Sequence, residues 1–122
     1  KLFTMLKTSK ADGSYLKQIN KLEKQDLLII DDFGLKALDA INRHSFMEII
    51  EDRHGEHSIT IASQLPVEAW HEIIGEQTIA DAILDRLVHN AHRIDIKGES
   101  MRKKMKNKYH LLLLYLNQDL QL

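Results

Sequence analysis

Four consecutive branched aliphatics, Leu27, Leu28, Ile29 and Ile30, run straight into two adjacent carboxylates, Asp31 and Asp32, and the chain then passes through Phe33 to Gly34. No other stretch restricts the fold as much. A continuous apolar run of this length predicts a strand covered on both faces, as in a parallel sheet, and Gly34 permits a tight exit from it. Open α/β sheets bind ligands outside the carboxyl ends of their strands, which is where the two aspartates fall. Two readings of the pair stand at this point. One is a hydrolytic nucleotide site that takes its Mg²⁺ carboxylate from the end of a strand. The other is an N-cap for the next helix, a position that Asp favours.

The flanking segments supply the rest of an α/β unit. Leu2, Phe3, Met5 and Leu6 form an apolar cluster before the turn-like Ala11-Asp12-Gly13-Ser14, and Ser14 is placed to cap a helix that runs to about Lys24. After Gly34, apolar residues at helical spacing predict a helix over Ala40–Arg53, ended by His54-Gly55. Ser58–Ser63 is short and β-branched. With a helix between it and the first strand, a right-handed crossover joining parallel strands is the economical reading. Pro66 opens a short helix closed by Gly75, Thr78 is expected to cap a helix from Ile79 to Asn90, and His92–Ile96 alternates as a third strand with one wetter face. Ser100 to about Leu116 reads as a terminal helix, basic at first and apolar at Leu111–Leu114.

Composition narrows the classes. The 122 residues suit one domain, and 17 basic against 18 acidic side chains give no net-charge argument for any partner. With no cysteine, a disulfide framework and a thiolate metal site are excluded, which fits a reducing, cytoplasmic setting. No run approaches the roughly 20 apolar residues of a membrane helix. Seven histidines raise a zinc hydrolase reading, but His54 and His57 fall in a turn while His89 and His92 straddle a helix end and a strand. Three converging ligands are therefore not expected. The chain begins with Lys1 in what reads as the middle of a helix, so the amino end is expected to belong to something longer.

The order LLIIDDFG, helix, ITIASQLP, then AILDRLVHNAHRIDIKGESMRKK is specific. It resembles the carboxyl-terminal part of an AAA+ ATPase of the IstB type, the transposition helper ATPases of bacterial insertion sequences, related to the DnaC helicase loaders. The resemblance covers about residues 2 to 104. It implies a partial P-loop NTPase fold of the α/β class, a parallel sheet flanked by helices. Residues 26–98 would run from the Walker B strand to the last strand, and 99–122 would form the basic then apolar terminal helix. ATP and Mg²⁺ are the implied cofactors. Asp31 would hold Mg²⁺ through water, and Asp32 would orient or deprotonate the attacking water. Ser63 resembles the sensor 1 residue, Arg86 the arginine finger that reaches a neighbouring subunit's nucleotide, and Arg102 sensor 2. DNA, a transposase and further copies of the chain are the implied partners. Lys97, Arg102, Lys103, Lys104, Lys106 and Lys108, set against the single Glu99, would suit contact with DNA phosphates.

Two departures qualify the resemblance. The glycine-rich loop GxxxxGK[ST] is absent from these residues; in the family it lies ahead of the position of Lys1, so the chain alone is expected not to turn ATP over. From about Lys106 the tail departs from the family pattern. A noncatalytic AAA+-derived interaction module and a DnaC-like helicase loader therefore remain as alternatives, with SQLP and LVHNAHRI favouring transposition. The family also places its phosphate-loop strand between the strands at 58–63 and 92–96. Without that strand, either the two neighbours close directly on each other or another copy supplies the pairing. Self-association is the favoured expectation, with Leu111–Leu116 covering the bare sheet face.

Overall fold

The computed structural model describes residues 1–89, 91–99 and 108–116, and side chains through residue 97. Helices α1 (Leu2–Asp12) and α2 (Tyr15–Glu23) lead into β1 (Leu27–Ile30), and α3 (Ala40–Arg53) connects β1 to β2 (Ser58–Ser63). A 3₁₀ turn at Val67–Ala69, α4 (Trp70–Ile74) and α5 (Gln77–Val88) lead to β3 (Ala91–Glu99), and β4 (Lys108–Leu116) follows. Strands β1 and β2 pair in parallel, with Leu28 opposite Ile59 and Ile30 opposite Ile61. The parallel pairing of two strands joined through a helix is as expected from the sequence, and the chain is an α/β protein.

The strand β1 is not covered on both faces. Leu28 and Ile30 are buried, whereas Leu27 is 47% and Ile29 63% exposed. Successive strand side chains point to opposite sides, and the core formed with α3, α4 and α5 meets only one of them. There Phe46, Ile49, Ile50, Trp70, Ile83 and Leu87 close over Leu28, Ile30, Ile59 and Ile61. A purely aliphatic strand therefore shows half its side chains to solvent among the described residues.

Two caps differ from expectation. Glu76, not Thr78, caps α5: its carboxylate accepts the Thr78 and Ile79 N–H groups at 3.0 and 2.9 Å. Ser14 makes no side-chain cap bond to α2, because its hydroxyl turns back to Asp12.

The largest correction concerns the tail. Lys108–Leu116 is a strand rather than part of a terminal helix, and it lies inside the sheet, in the order β1-β2-β4-β3. It runs antiparallel to both neighbours, with Ile61 opposite Leu114 on one side and Ile94 opposite Leu113 on the other. A run of four leucines between His110 and Tyr115 suits either a buried helix or a buried strand. Two facing rows of unpaired backbone groups decide in favour of the strand, since every buried N–H and C=O must find a partner. Thus β2 and β3 neither close on each other nor leave their facing edges open. The tail enters the sheet instead of lying over its bare face.

Candidate functional site

The carboxyl ends of β1 and β2 lie side by side, and the chain leaving β1 is fastened to β2 by its backbone. Phe33 N–H donates to the Ala62 carbonyl at 3.0 Å, and the Ser63 hydroxyl donates to the Phe33 carbonyl at 2.6 Å while accepting Leu65 N–H at 3.1 Å. Ser63 is buried, so its hydroxyl ties two loops together through one atom. Phe33 anchors the turn from below, its ring 4.9 Å from that of Trp70 and 5.3 Å from that of Phe46. The Trp70 indole in turn donates to the Leu65 carbonyl at 3.1 Å. Gly34 has φ 96°, a conformation that favours glycine, and a Cβ there would also crowd Leu65 Cδ1 at 3.0 Å.

Between these anchors Asp31 and Asp32 are exposed. Asp32 adopts φ 53°, the one non-glycine residue with positive φ among those described. That region is strained for a residue with a Cβ, though Asp tolerates it better than most. Asp32 N–H donates to Asp31 Oδ1 at 2.9 Å, which orients the first carboxylate. Neither aspartate caps a helix, because the next one, α3, is capped by Asp39, which accepts Asn42 N–H at 2.8 Å. The N-cap reading of the pair is thereby removed.

The loop from Gly34 to α3 is held from the side of α4. Leu38 N–H donates to the Ile73 carbonyl at 2.8 Å, and the Arg43 guanidinium donates to the Ile74 and Leu38 carbonyls at 2.6 and 3.2 Å. Gly75 makes room for it, since a Cβ there would fall 2.3 Å from Arg43 Nη2. Neither Arg43 nor the positive φ of Asp32 was indicated by the sequence. Short carboxylates before a glycine hint at a left-handed turn without identifying the residue that adopts it.

Arg86 does not join Asp31 and Asp32 within one chain. It donates to the Ala82 carbonyl of its own helix at 3.0 Å and faces Glu51 of α3 at 3.6 Å. Glu51 belongs to the last turn of α3, which delivers the chain to the amino end of β2, so Arg86 stands toward the opposite end of the strands from Asp31 and Asp32. Its acidic partner comes from another helix rather than from Asp81 or Asp85; Asp81 pairs with His71 at 2.9 Å. Lys97 is exposed near the carboxyl end of β3, beyond the level of Ser63. Arg102, Lys103, Lys104 and Lys106 lie outside the described residues. Lys108 begins β4, where the backbone alone is described.

What the pair can do chemically follows from its donor set. Among the described residues, no three His, Asp or Glu side chains converge. Two exposed carboxylates offer oxygen ligands only, which suits a hard cation such as Mg²⁺, one that keeps most of its water and shares the rest of its shell with substrate phosphates. The residues present therefore fit a Mg²⁺–nucleotide site and do not form a closed protein cage.

Comparison with known proteins bears on the same residues. The sequence pattern of the IstB-like ATP binding protein family matches residues 1–109. The chain belongs to that family. It is 55% identical over 108 residues to the insertion sequence ATP-binding protein y4pL of Sinorhizobium fredii (strain NBRC 101917 / NGR234), an overlap covering 88% of this chain and 44% of that protein. It is also 31% identical over 112 residues to the insertion sequence IS21 ATP-binding protein of Pseudomonas aeruginosa, covering 92% of this chain and 42% of that one. This IstB-like chain thus spans less than half the length of these relatives. No helix among its described residues is long and apolar enough to cross a membrane.

Proposed function

We propose that this chain is the Walker B portion of an ATP-hydrolysing helper of DNA transposition, with the partial AAA+ fold that its sequence resembles. The reading rests on one observation above all: paired carboxylates leave the end of a parallel strand beside a buried polar residue ending the next, in a chain of an ATP-binding family. Asp31 would hold Mg²⁺ through water, and the bound ion would neutralise charge on the phosphates. Asp32, turned off the strand line by its left-handed backbone, orients the attacking water and accepts its proton. Ser63 fixes the distance between the two strand ends, and Arg102 serves the same subunit's nucleotide.

Arg86, toward the opposite end of the strands, acts on the nucleotide of a neighbouring copy in a homo-oligomer after leaving Glu51. Lys97, Arg102, Lys103, Lys104, Lys106 and Lys108 meet DNA phosphates, and a transposase is the protein partner. The experiment joins this chain to the phosphate-loop portion of the family and measures ATP turnover and Mg-ATP binding. Asp32→Asn is expected to lower turnover by about 100-fold or more, the scale of a lost general base, while binding is retained. Turnover equal to the unsubstituted protein would remove Asp32 from the reaction.

A further inference from the structure

The turn that carries Asp31 and Asp32 leads into a loop strung between two fixed points. The nearer is Phe33, a buried residue with its N–H on the Ala62 carbonyl and its own carbonyl under the Ser63 hydroxyl. Beyond Gly34 the chain comes out to the surface: Leu35 is 70% exposed, and Lys36 and Ala37 are exposed as well. It turns back in at Leu38, which is buried. The farther point lies there and is made by helices rather than by the sheet. Leu38 N–H donates to the Ile73 carbonyl of α4, and the Leu38 carbonyl accepts Arg43 Nη2 of α3.

Arg43 is the side chain that gathers this second point. Its backbone N–H closes the first turn of α3 on the Asp39 carbonyl at 2.8 Å, so its stem rises from a capped helix end. From there Nε donates to the Ile74 carbonyl at 2.6 Å while Nη2 reaches the Leu38 carbonyl at 3.2 Å. The last carbonyls of a helix have no partner within it. In α4 those of Ile73 and Ile74 are taken by Leu38 N–H and by Arg43. Gly75, with φ 104°, lets the guanidinium pack directly on the chain, since a Cβ there would fall 3.0 Å from Arg43 Cζ and closer still to Nη2. The next residue, Glu76, caps α5. The N–H groups of Ile79 and Thr78 hold its carboxyl below the ordinary range, and the charge of Arg43 adds to them. One side chain thus binds the loop from β1 to the end of α4, close to the start of α5. Its two donors sit in a rigid fork, which a lysine ammonium does not reproduce.

Asp32 keeps φ 53°, and a backbone conformation of that kind persists only where its surroundings over-determine it. Phe33 fixes the chain next to Asp32, but the direction in which the chain leaves is fixed only where it is next held, at Leu38. Between the two lies Gly34, which is free to adopt either sign of φ. With Leu38 released, the loop can swing about Gly34 and let the turn at Asp32 relax. We propose that Arg43 is a positioning residue for the paired carboxylates: by binding the loop after β1 to the end of α4, it holds the Asp31–Asp32 turn in its left-handed form. Arg43 acts through Leu38 and touches no reacting group. The inference rests on the ATPase reading for what the turn is used for, and not for the hold itself. It makes turnover depend on the seating of α4, the helix that follows Ser63 and leads to α5.

The test compares Arg43→Met, which keeps the stem and removes the fork, with Arg43→Lys, which keeps the charge but not the paired donors. In the full chain, isotope-labelled for NMR, hydrogen exchange at the Leu38 amide should quicken about 10-fold or more in Arg43→Met. The Asp32 and Phe33 amide signals should shift, while those of Leu28 and Ile59, deeper in the same two strands, stay in place. Arg43→Lys should fall between, and it carries the measurement if the buried Trp70 shows that Arg43→Met has lost its core. In the chain joined to the phosphate-loop portion of the family, Arg43→Met should lower kcat about 10-fold or more and leave KM for Mg-ATP within about twofold, the split expected when reacting groups are misplaced and binding is not lost. Unmoved Asp32 and Phe33 signals in both variants, or turnover equal to that of the unsubstituted protein, overturns the proposal. A joined protein with no turnover before any substitution refutes the ATPase reading instead, and the Asp32 signals then decide the hold of Arg43 by themselves.

Discussion

The two ends of β1 and β2 each carry charged side chains, put to opposite purposes. At the carboxyl ends, Asp31 and Asp32 stand exposed, and backbone strain is kept at Asp32. At the amino ends, a single cation is sunk into the protein: Arg53 is 1% exposed and donates to the carbonyls of Leu22, Ser58 and Asp26 at 2.9, 2.6 and 3.2 Å. One side chain thus joins the end of α2, the approach to β1 and the start of β2. Burial pushes its pKa down from the ordinary arginine value, with Asp26 pulling the other way. A guanidinium stays charged even so, and its forked donors match converging carbonyls as lysine could not. The amino end spends its polar chemistry on the fold, whereas the carboxyl end leaves its carboxylates open to a ligand.

Breaking the amino end should have the largest effect. Arg53→Met keeps most of the apolar stem but takes the guanidinium from three carbonyls, of which those of Leu22 and Asp26 keep a backbone N–H donor, from Gln25 and Ser58; losing a charged donor at such a site costs about 1 to 3 kcal/mol. A total of about 2 to 4 kcal/mol is expected, a large share of a small domain's stability. Urea unfolding followed through Trp70 measures it. Arg53→Lys should recover only part of the loss, because one ammonium cannot span three carbonyls. A loss below about 1 kcal/mol in Arg53→Met would mean that water replaces the guanidinium.

The sequence reveals these two ends unequally. The carboxyl end was legible because a strand ending in paired carboxylates has few alternatives, and Asp31, Asp32 and Ser63 fall on adjacent strand ends as expected. Arg53 was not legible: in the last turn of a helix, before His54-Gly55, an arginine reads as a solvated cation facing the helix dipole. Only the return of the chain at Ser58 buries it. The one-sided burial of β1 was hidden because four aliphatics carry no alternation to read. The strand at Lys108–Leu116 was missed because leucine serves helix and strand alike, and the unpaired edges of β2 and β3, which decide between them, are a property of the folded sheet.

The next effect probes the link between the two strand ends. Ser63→Ala removes the donor to Phe33 O and the acceptor for Leu65 N–H at a buried position, so stability should fall by about 1 to 3 kcal/mol. Hydrogen exchange at the Phe33 and Leu65 amides should quicken, while the amino end, held by Arg53, keeps its protection. Loss of protection at both ends alike would show that the strand ends are one cooperative unit and would dissolve the contrast.

The smallest effect has the opposite sign and separates stability from function most sharply. Asp32 holds φ 53° with a Cβ, and left-handed backbone costs an L-residue roughly 1 to 2 kcal/mol, less for Asp. Asp32→Gly relieves that strain, and part of the gain is returned through the greater freedom of glycine in the unfolded chain. The carboxylate lost is exposed, so nothing in the core suffers. A net stabilisation of a few tenths to about 1 kcal/mol is expected, read as a small rise in the urea midpoint at unchanged slope. Under the proposed function the same change removes the group that handles the attacking water, so the assembled ATPase should lose turnover as its subunit grows more stable. Strain held at a site against stability is the mark of a residue kept for chemistry. If Asp32→Gly instead destabilises the chain by more than about 1 kcal/mol, the carboxylate is a structural part of the turn, and the two ends of the strands differ less than their geometry indicates.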